Sequence, residues 1–384
     1  MNNEGNSLIV FKNKKNMYSE EFYRVALLGL EGFGMATLKK MLRLSGSATN
    51  VFTKSDLWMG QVRRRSKGMP LPLVSDTLRR EVDEELRLME QHGVRQCFYL
   101  DKEYPYRLKN CTDGPIAFYY KGAADFNALR MLAVVGTREA TEYGRSAVRK
   151  ILSELHDTGV VTVSGLAYGI DTETHARSLE YGLRTIAVMG NGLGTVYPSQ
   201  NRPLARQILE RGGTLVSEYS FRTQPDRLNF PRRNRIVAGM ADAVVVAETA
   251  NRGGSIITAH IAQSYNRDVF AVPGSVFDPH FEGCHALIRQ NVAALVTSGQ
   301  DLLEMMNWES TQKSVQTSLF VDLTEEEQQV VDLVRASGEL AIDRLSEALP
   351  EFSPSKLAGL LLTLELKGVL VCRPGKVYKM CGSV

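Results

Sequence analysis

The 384-residue chain is 43% hydrophobic and 23% charged, ordinary values that exclude wholesale disorder and leave room for two or three domains. No run of about 18 apolar residues occurs, and the stretch 8–11 is too short for a secretory leader, so a cytosolic location without a membrane partner is expected. The net charge of +3 is uneven: residues 1–130 carry 21 basic against 15 acidic residues, residues 319–384 seven against ten. A basic front is compatible with nucleic acid but does not establish it. The five cysteines and six histidines are scattered without metal-ligand or redox spacing. No metal site, disulfide framework or cofactor is therefore expected, and the thiols read as buried and idle.

Residues 1–93 read as a helical domain. Phe22, Val25, Ala26, Leu28 and Leu30 lead into Gly32-Phe33-Gly34, and Leu38, Met41, Leu42 and Leu44 then recur at helical spacing. Two helices around a glycine turn fit a helix-hairpin-helix (SAM-like) unit whose turn amides face phosphate, or simply a helical cap with a tight turn. Arg63–Arg65 and Lys67, beside Gly68 and Pro70, read as a solvated basic loop.

From residue 94 to 300 short apolar runs alternate with helical stretches. Strands are expected at 97–100, 116–120, 132–135, 160–164, 185–188, 214–217, 243–246 and 269–272, with helices at 143–157, 171–181 and 203–211. Alternation of this kind predicts a Rossmann-like, doubly wound α/β domain. Runs such as Ala-Val-Val-Val, apolar without alternation, fit parallel strands buried on both faces. A polar linker is expected over 301–322. Residues 323–384 then open on Thr324 with Glu327 three residues on, a capping-box signature. Three helices followed by strands at 369–372 and 377–380 predict a winged helix-turn-helix.

Open α/β sheets bind ligands beyond the carboxyl ends of their strands. Here those ends carry Gly136-Thr137-Arg138, Ser164-Gly165-Leu166-Ala167, Gly190-Asn191-Gly192 and Gly253-Gly254-Ser255. Glycines permit close backbone approach, and helix-start amides favour anions, so the set predicts a phosphate-binding cleft. The segment Asn229-Phe230-Pro231-Arg232-Arg233-Asn234-Arg235, read as a loop before a helix over 236–240, adds guanidinium groups for phosphate and one ring for an unpaired base.

In order along the chain, Gly136-Thr137-Arg138, Tyr143-Gly144, Ser164-Gly165-Leu166-Ala167-x-Gly169-Ile170-Asp171, Tyr197-Pro198-x-x-Asn201, Ser217-Glu218-Tyr219, Phe230-Pro231-x-Arg233-Asn234-Arg235-Ile236, Gly254-Ser255, Thr258-Ala259 and Val272-Pro273-Gly274 closely resemble the DNA-processing protein A (DprA, also Smf) family. The resemblance covers about residues 130–290. It implies a non-enzymatic protein that binds single-stranded DNA, protects it, and loads the RecA recombinase onto it in natural transformation and recombination, as a homodimer through the α/β domain. It also implies DNA contacts from Gly136, Thr137, Arg138, Ser164, Gly165, Ala167, Arg227, Phe230, Arg232, Arg233, Asn234, Arg235, Gly254 and Ser255. Asp171 and Glu218 would be structural, with Asp171 capping the following helix.

One stretch departs from the family pattern Gly-x-Asn-x-Leu-Ile-x-x-Gly-Ala: His285 stands for the asparagine, and Asn291-Val292 for Gly-Ala. Two other classes compete. Related α/β proteins that cleave nucleoside monophosphates carry Gly-Gly-x-Gly-Thr-x-x-Glu, but Gly253–His260 lacks the Gly-Thr and the acid–base glutamate. A transcription regulator would work through the winged helix, yet its candidate recognition helix, 353–367, is leucine-rich, with Lys356 and Lys367 only at the ends.

Overall fold

The structure is a computed structural model that describes residues 18–62, 71–123, 125–308, 323–373 and 376–380. The basic loop at 63–70 and most of the expected linker, 309–322, lie outside the described residues. The chain divides into two compact units, Met1–Trp308 and Glu309–Val384.

The first unit is built on a nine-stranded sheet. Its strands are β1 (Arg95–Phe98), β2 (Ala117–Gly122), β3 (Met131–Gly136), β4 (Val161–Ser164), β5 (Thr185–Met189), β6 (Thr214–Ser217), β7 (Ala243–Glu248), β8 (Asp268–Ala271) and β9 (Ala294–Leu295). Their order is β1-β2-β6-β5-β4-β3-β7-β8-β9. The seven strands from β6 to β9 are parallel, as the unalternating valine runs require. The first two expected strands instead extend the β6 edge antiparallel. The short β9 pairs with β8 and was not legible in the sequence.

Successive residues of the central strands feed opposite faces. Ala133, Val135, Val163, Val244 and Val246 join one core; Leu132, Val134, Ala243 and Val245 join the other. The first of these cores continues without a break into the helices that open the chain: α1 (Glu20–Leu28), α2 (Met35–Ser45), α3 (Ala48–Thr53), α4 (Asp56–Val62) and α5 (Asp76–His92). α5 starts on Ser75, whose hydroxyl accepts from the Leu78 amide, and stops at Gly93 in the left-handed region (φ 63°). The glycine turn between α1 and α2 is present, with Gly32 at φ 80°. α2 is pinned to the rest of the unit by Lys39, which is 5% exposed and donates to the Cys111 and Thr112 carbonyls at 3.2 and 3.4 Å. After the one-turn α6 (Tyr106–Lys109), the crossover helices are α7 (Glu142–Ser153), α8 (Ile170–Glu180), α9 (Arg202–Glu210), α10 (Asn229–Met240), α11 (Gly254–Ser264) and α12 (Glu282–Arg289). α13 (Gly299–Met305) follows, and Leu302, Leu303 and Trp308 join the core, so the first unit runs past residue 300. Cys97, Cys111 and Cys284 are buried thiols, and burial pushes Cys97 and Cys284 up to about 12.

The second unit holds helices Glu325–Ser337, Ile342–Ala348 and Pro354–Leu366, around a core that includes Val330, Val334, Leu345, Leu357 and Leu361. The capping box is present: the Thr324 hydroxyl accepts from the Glu327 amide, and the Glu327 carboxylate accepts from the Thr324 amide. β11 (Leu370–Arg373) and β12 (Val377–Met380) form the expected hairpin, and β12 also pairs with β10 (Glu339–Ala341), a strand not expected from the sequence. Lys356 and Lys367 both sit in ion pairs, with Glu326 at 2.5 Å and Glu327 at 2.7 Å.

Under α8 lies a buried polar cluster. Thr162, Ser178 and Thr185 are linked by hydroxyl–hydroxyl hydrogen bonds of 2.7 Å, and His175 Nδ1 is 2.7 Å from Thr185 Oγ1. His175 is fully buried and its Nε2 has no hydrogen-bond partner. Burial, aided by the nearby Arg233 charge, pushes the imidazole down to about 3. The unfolded chain takes up this proton near pH 6.5, whereas the folded one refuses it until about pH 3. This contribution to stability is therefore complete above pH 6.5 and is lost progressively as the pH falls towards 3. Between pH 7 and pH 5 the wild type should lose about 2 kcal/mol through this group. Urea midpoints at the two pH values should show that loss in the wild type and a correspondingly shallower dependence in His175→Gln; equal dependences would refute it.

Candidate nucleic-acid interface

The chain lays down β3 to β6 in one direction across the sheet, then returns to the far side of β3 with β7, β8 and β9. Connections therefore diverge at the carboxyl ends of β3 and β7, the switch point where an open α/β sheet leaves a crevice. A cleft of about 810 Å³ lies there, lined by the turns after β3 and β4, the start of α11 and the first turns of α10.

Four helices, α7, α8, α10 and α11, begin beside this crevice, and the amino ends of α7, α8 and α11 differ in what fills them. At α7 the cap is Thr141, whose amide and hydroxyl both donate to the fully buried Glu248 carboxylate, at 3.0 and 2.9 Å. Gly144 is needed in the first turn because a Cβ there would collide with that carboxylate. At α8 the cap is Gly169, and Asp171 is a residue of the first turn rather than the cap. Its carboxylate reaches back to accept from the Ala167 amide at 3.3 Å. Ser164, expected to donate to phosphate, instead donates its hydroxyl to the Val134 carbonyl at 2.7 Å.

The amino end of α11 is different. Its cap is Gly253, with no side chain to satisfy the first amides, and the space above Gly254 is open. Ser255 is 5% exposed, lines the cleft, and its hydroxyl has no hydrogen-bond partner. A helix amino end with a buried, unsatisfied hydroxyl is a socket for an anion.

The arginine-rich segment is not a loop. α10 begins at Asn229, so the whole segment forms its first two turns. Pro231 is tolerated in the first turn because its missing amide would have no intrahelical acceptor. At 3.6 residues per turn, side chains adjacent in sequence point in different directions. Arg232 is exposed and does not line the cleft. Arg233 turns inward: it is 4% exposed, and its guanidinium donates to the carbonyls of Gly165 and Val188 at the ends of β4 and β5. Asn234 accepts from Arg233 Nε at 3.1 Å. Gly165 is a glycine because a Cβ would occupy the place of that guanidinium. Burial lowers the Arg233 pKa and raises that of Asp171, each offset in part by the other's charge. Arg235 leaves the cleft altogether. It pairs with the Glu218 carboxylate and donates to the Asp113 carbonyl at 2.5 Å. Glu218 thus has a structural partner.

What faces the cleft is an aromatic and cationic stack. The Phe230 ring lies against Gly190, with the Arg138 guanidinium 5.3 Å from its centroid. The Tyr197 ring is 5.6 Å from Phe230 and tilted by 35°. Arg138 and Arg227 are exposed, line the cleft and enter no ion pair among the described residues. Gly136, Thr137, Gly165, Ala167 and Asn234 also contribute to the wall. The sequence reading carried Tyr197 only within the motif Tyr197-Pro198-x-x-Asn201 and gave it no DNA contact, although an aromatic residue at a strand-end loop was the available signal. It also omitted Glu139, an acidic group on the same wall.

The departures from the family pattern have local explanations. His285 Nε2 is 3.1 Å from the Gly274 carbonyl, tying α12 to the loop after β8. Asn291 adopts φ 55°, a left-handed conformation that asparagine tolerates better than most residues and that accounts for glycine in the pattern. Neither residue lines the cleft.

Residues 95–307 match the family model for DNA recombination-mediator protein A. The DNA processing protein DprA of Streptococcus pneumoniae is 44% identical over 204 residues, 53% of this chain and 71% of that protein. Protein Smf of Synechocystis is 34% identical over 294 residues, covering 75% and 73%. The X-ray structure of S. pneumoniae DprA superposes with a TM-score of 0.63 at 36% identity, over 74% of this chain and 97% of that one. A Helicobacter pylori DNA processing protein A structure, described for its single-stranded DNA binding mode, shares the fold at a TM-score of 0.51 and 24% identity, over 56% of this chain and 97% of that one. With its cleft at the β3–β7 switch point and the motifs that build it inside the matched segment, the chain belongs to the DNA recombination-mediator protein A family, DprA/Smf.

Proposed function

We propose that this protein binds single-stranded DNA in the β3–β7 cleft, protects it, and delivers it to the RecA recombinase during transformation and homologous recombination. The observation that carries the reading is the Arg138–Phe230–Tyr197 stack beside the unfilled amino end of α11. A socket for phosphate next to exposed rings suits a strand whose bases are unstacked; a duplex keeps its π-faces inside. The relatives' names point the same way: DNA processing, and for the H. pylori protein a single-stranded DNA binding mode. The working form is a homodimer through the α/β unit. The protein acts as a binding module rather than an enzyme, since the carboxylates lining the cleft are Glu139 and the internally bonded Asp171, and none stands where a nucleotide-cleaving relative carries its glutamate.

The second unit reads as a winged helix from its order of helix, strand, two helices and hairpin. We assign it a regulatory or protein-contact role, because the lysines at the ends of its third helix are engaged by Glu326 and Glu327, and Leu362 and Leu366 stand exposed between and beside them. A duplex-reading helix needs free cations for phosphate.

Gel shifts at fixed salt should give tighter binding to single strands than to duplex, and equal affinity would sink the reading. Phe230→Ala should weaken single-strand binding by about 1–3 kcal/mol. Arg138→Ala should reduce the slope of log affinity against log salt by about 0.7, one phosphate contact on a single strand. Arg235→Ala should leave that slope unchanged and lower the thermal midpoint, because it removes the partner of Glu218. An altered slope in Arg235→Ala with an unaltered one in Arg138→Ala would place the phosphate contact on the opposite side of α10.

Removing residues 309–384 should leave single-strand affinity nearly intact. A truncated chain that stays folded by circular dichroism but loses most of that affinity would overturn the role assigned to the second unit.

A further inference from the structure

The wall of the cleft does not end at Phe230. Beyond it the loop from β5 to α9 carries Tyr197, 46% exposed, and the loop from β4 to α8 carries Tyr168, 42% exposed. The two loops are fastened together. Tyr168 Oη donates to Gln200 Oε1 at 2.5 Å, and the buried Asn201 donates to the Leu166 carbonyl and to Thr172 Oγ1, both at 2.9 Å. On the opposite side the β5–α9 loop is tied to the segment before α10, through Gly192 to the Thr223 carbonyl at 2.9 Å and Gly194 to the Phe221 carbonyl at 3.0 Å. Two half-exposed rings are thus mounted on a braced ledge, and one of them, Tyr197, packs against the Phe230 ring. Directly after the ledge, Arg202 and Arg206 lie one helical turn apart on α9; both are exposed and neither enters an ion pair among the described residues.

Rings at loop tips ordinarily tuck into the core, because an exposed aromatic face forgoes burial. Holding them out on fixed backbone removes the ordering entropy that a flexible loop would lose on binding. Aromatic faces alternating with unpaired guanidinium groups are the chemistry that tracks an unpaired nucleic-acid strand, bases on the rings and backbone on the cations. We infer that Tyr197 and Tyr168, with Arg202 and Arg206, form a second subsite that carries the strand beyond the cleft across the carboxyl ends of β5 and β4. The inference rests on the single-strand reading of the cleft and adds a direction to it: the strand enters at the α11 socket, passes Arg138 and Phe230, and leaves over the tyrosine ledge.

Length dependence separates the two subsites. Full-length protein is titrated with oligothymidylates of about 4 and about 16 nucleotides, the span over which such surfaces fill. Tyr168→Ala should weaken binding of the long oligomer by about five- to 150-fold and leave the short one unaffected. The double variant Arg202→Ala/Arg206→Ala should flatten the salt slope by about 1.4 for the long oligomer alone. Tyr168→Phe should retain most of the long-oligomer affinity, since the ring that stacks remains and the Asn201 bonds still hold the two loops together. Circular dichroism confirms that each variant is folded. The ledge is refuted if the Tyr168 and arginine variants bind the long oligomer like wild type while Phe230→Ala binds both oligomers weakly. If Phe230→Ala also binds both like wild type, the cleft itself is not the single-strand site and the ledge falls with it.

Discussion

The architecture of the cleft depends on one buried guanidinium. Arg233 reaches down from α10 and donates to the carbonyls of Gly165, just past β4, and Val188, near the end of the neighbouring β5. Carbonyls at the carboxyl edge of a sheet have no further strand to pair with, and burying them unpaired would be costly. Supplying both donors from a single helix fixes where that helix starts and how it is rotated. Rotation then decides everything else on α10: Phe230 faces Gly190 and the cleft, and Arg235 faces Glu218 and the helices on the other side. The charge is tolerated because Asp171 lies close by and the guanidinium's donors meet carbonyl oxygens and Asn234.

Around that clamp the protein distributes negative charge with a clear division of labour. Glu248 fills the amino end of α7, and Asp171 bonds back into the turn that opens α8. Both are internal substitutes for an anion at a helix amino end. α11 is capped by glycine like α8, but among the described residues no carboxylate folds back on its first turn and the buried Ser255 hydroxyl is unpaired. A glycine-rich turn and a helix start are therefore insufficient to identify a phosphate site. The absence of an internal carboxylate is the discriminating feature, and it becomes visible only when the partners are traced.

The parallel sheet was legible because Ala243–Val246 and its neighbours are apolar without alternation, and only burial on both faces explains such runs. The antiparallel edge was not, since β1 and β2 carry no mark of direction in their residues. Within the site, Arg138, Phe230, Gly254 and Ser255 were readable from residue type and position at strand ends. Arg232 and Arg235 were misplaced for a geometric reason: read as an extended loop, three arginines converge on one ligand, whereas a helix sends Arg233 to a clamp at the cleft wall, Arg235 to an ion pair and Arg232 to solvent. Ser164 and Ala167 were misread because their donors look free in sequence and are spent on Val134 and Asp171 in the fold. Tyr197 was read as part of a motif and not as a contact, because nothing local links it to Phe230, which lies 33 positions later; only the packing of the β5–α9 loop against α10 joins them.

The contact between position 165 and Arg233 has a consequence for how the sequence is able to change. The guanidinium occupies the volume that any side chain at 165 would need, so neither residue is free to vary alone. A methyl group at 165 expels the charge from its carbonyls, and a shorter residue at 233 leaves a void beside a glycine. Replacing both together removes the clash but leaves the carbonyls at 165 and 188 without their donor, so the two positions form one non-additive unit separated by 68 residues of chain. The cost of a change at either site therefore depends on which residue occupies the other.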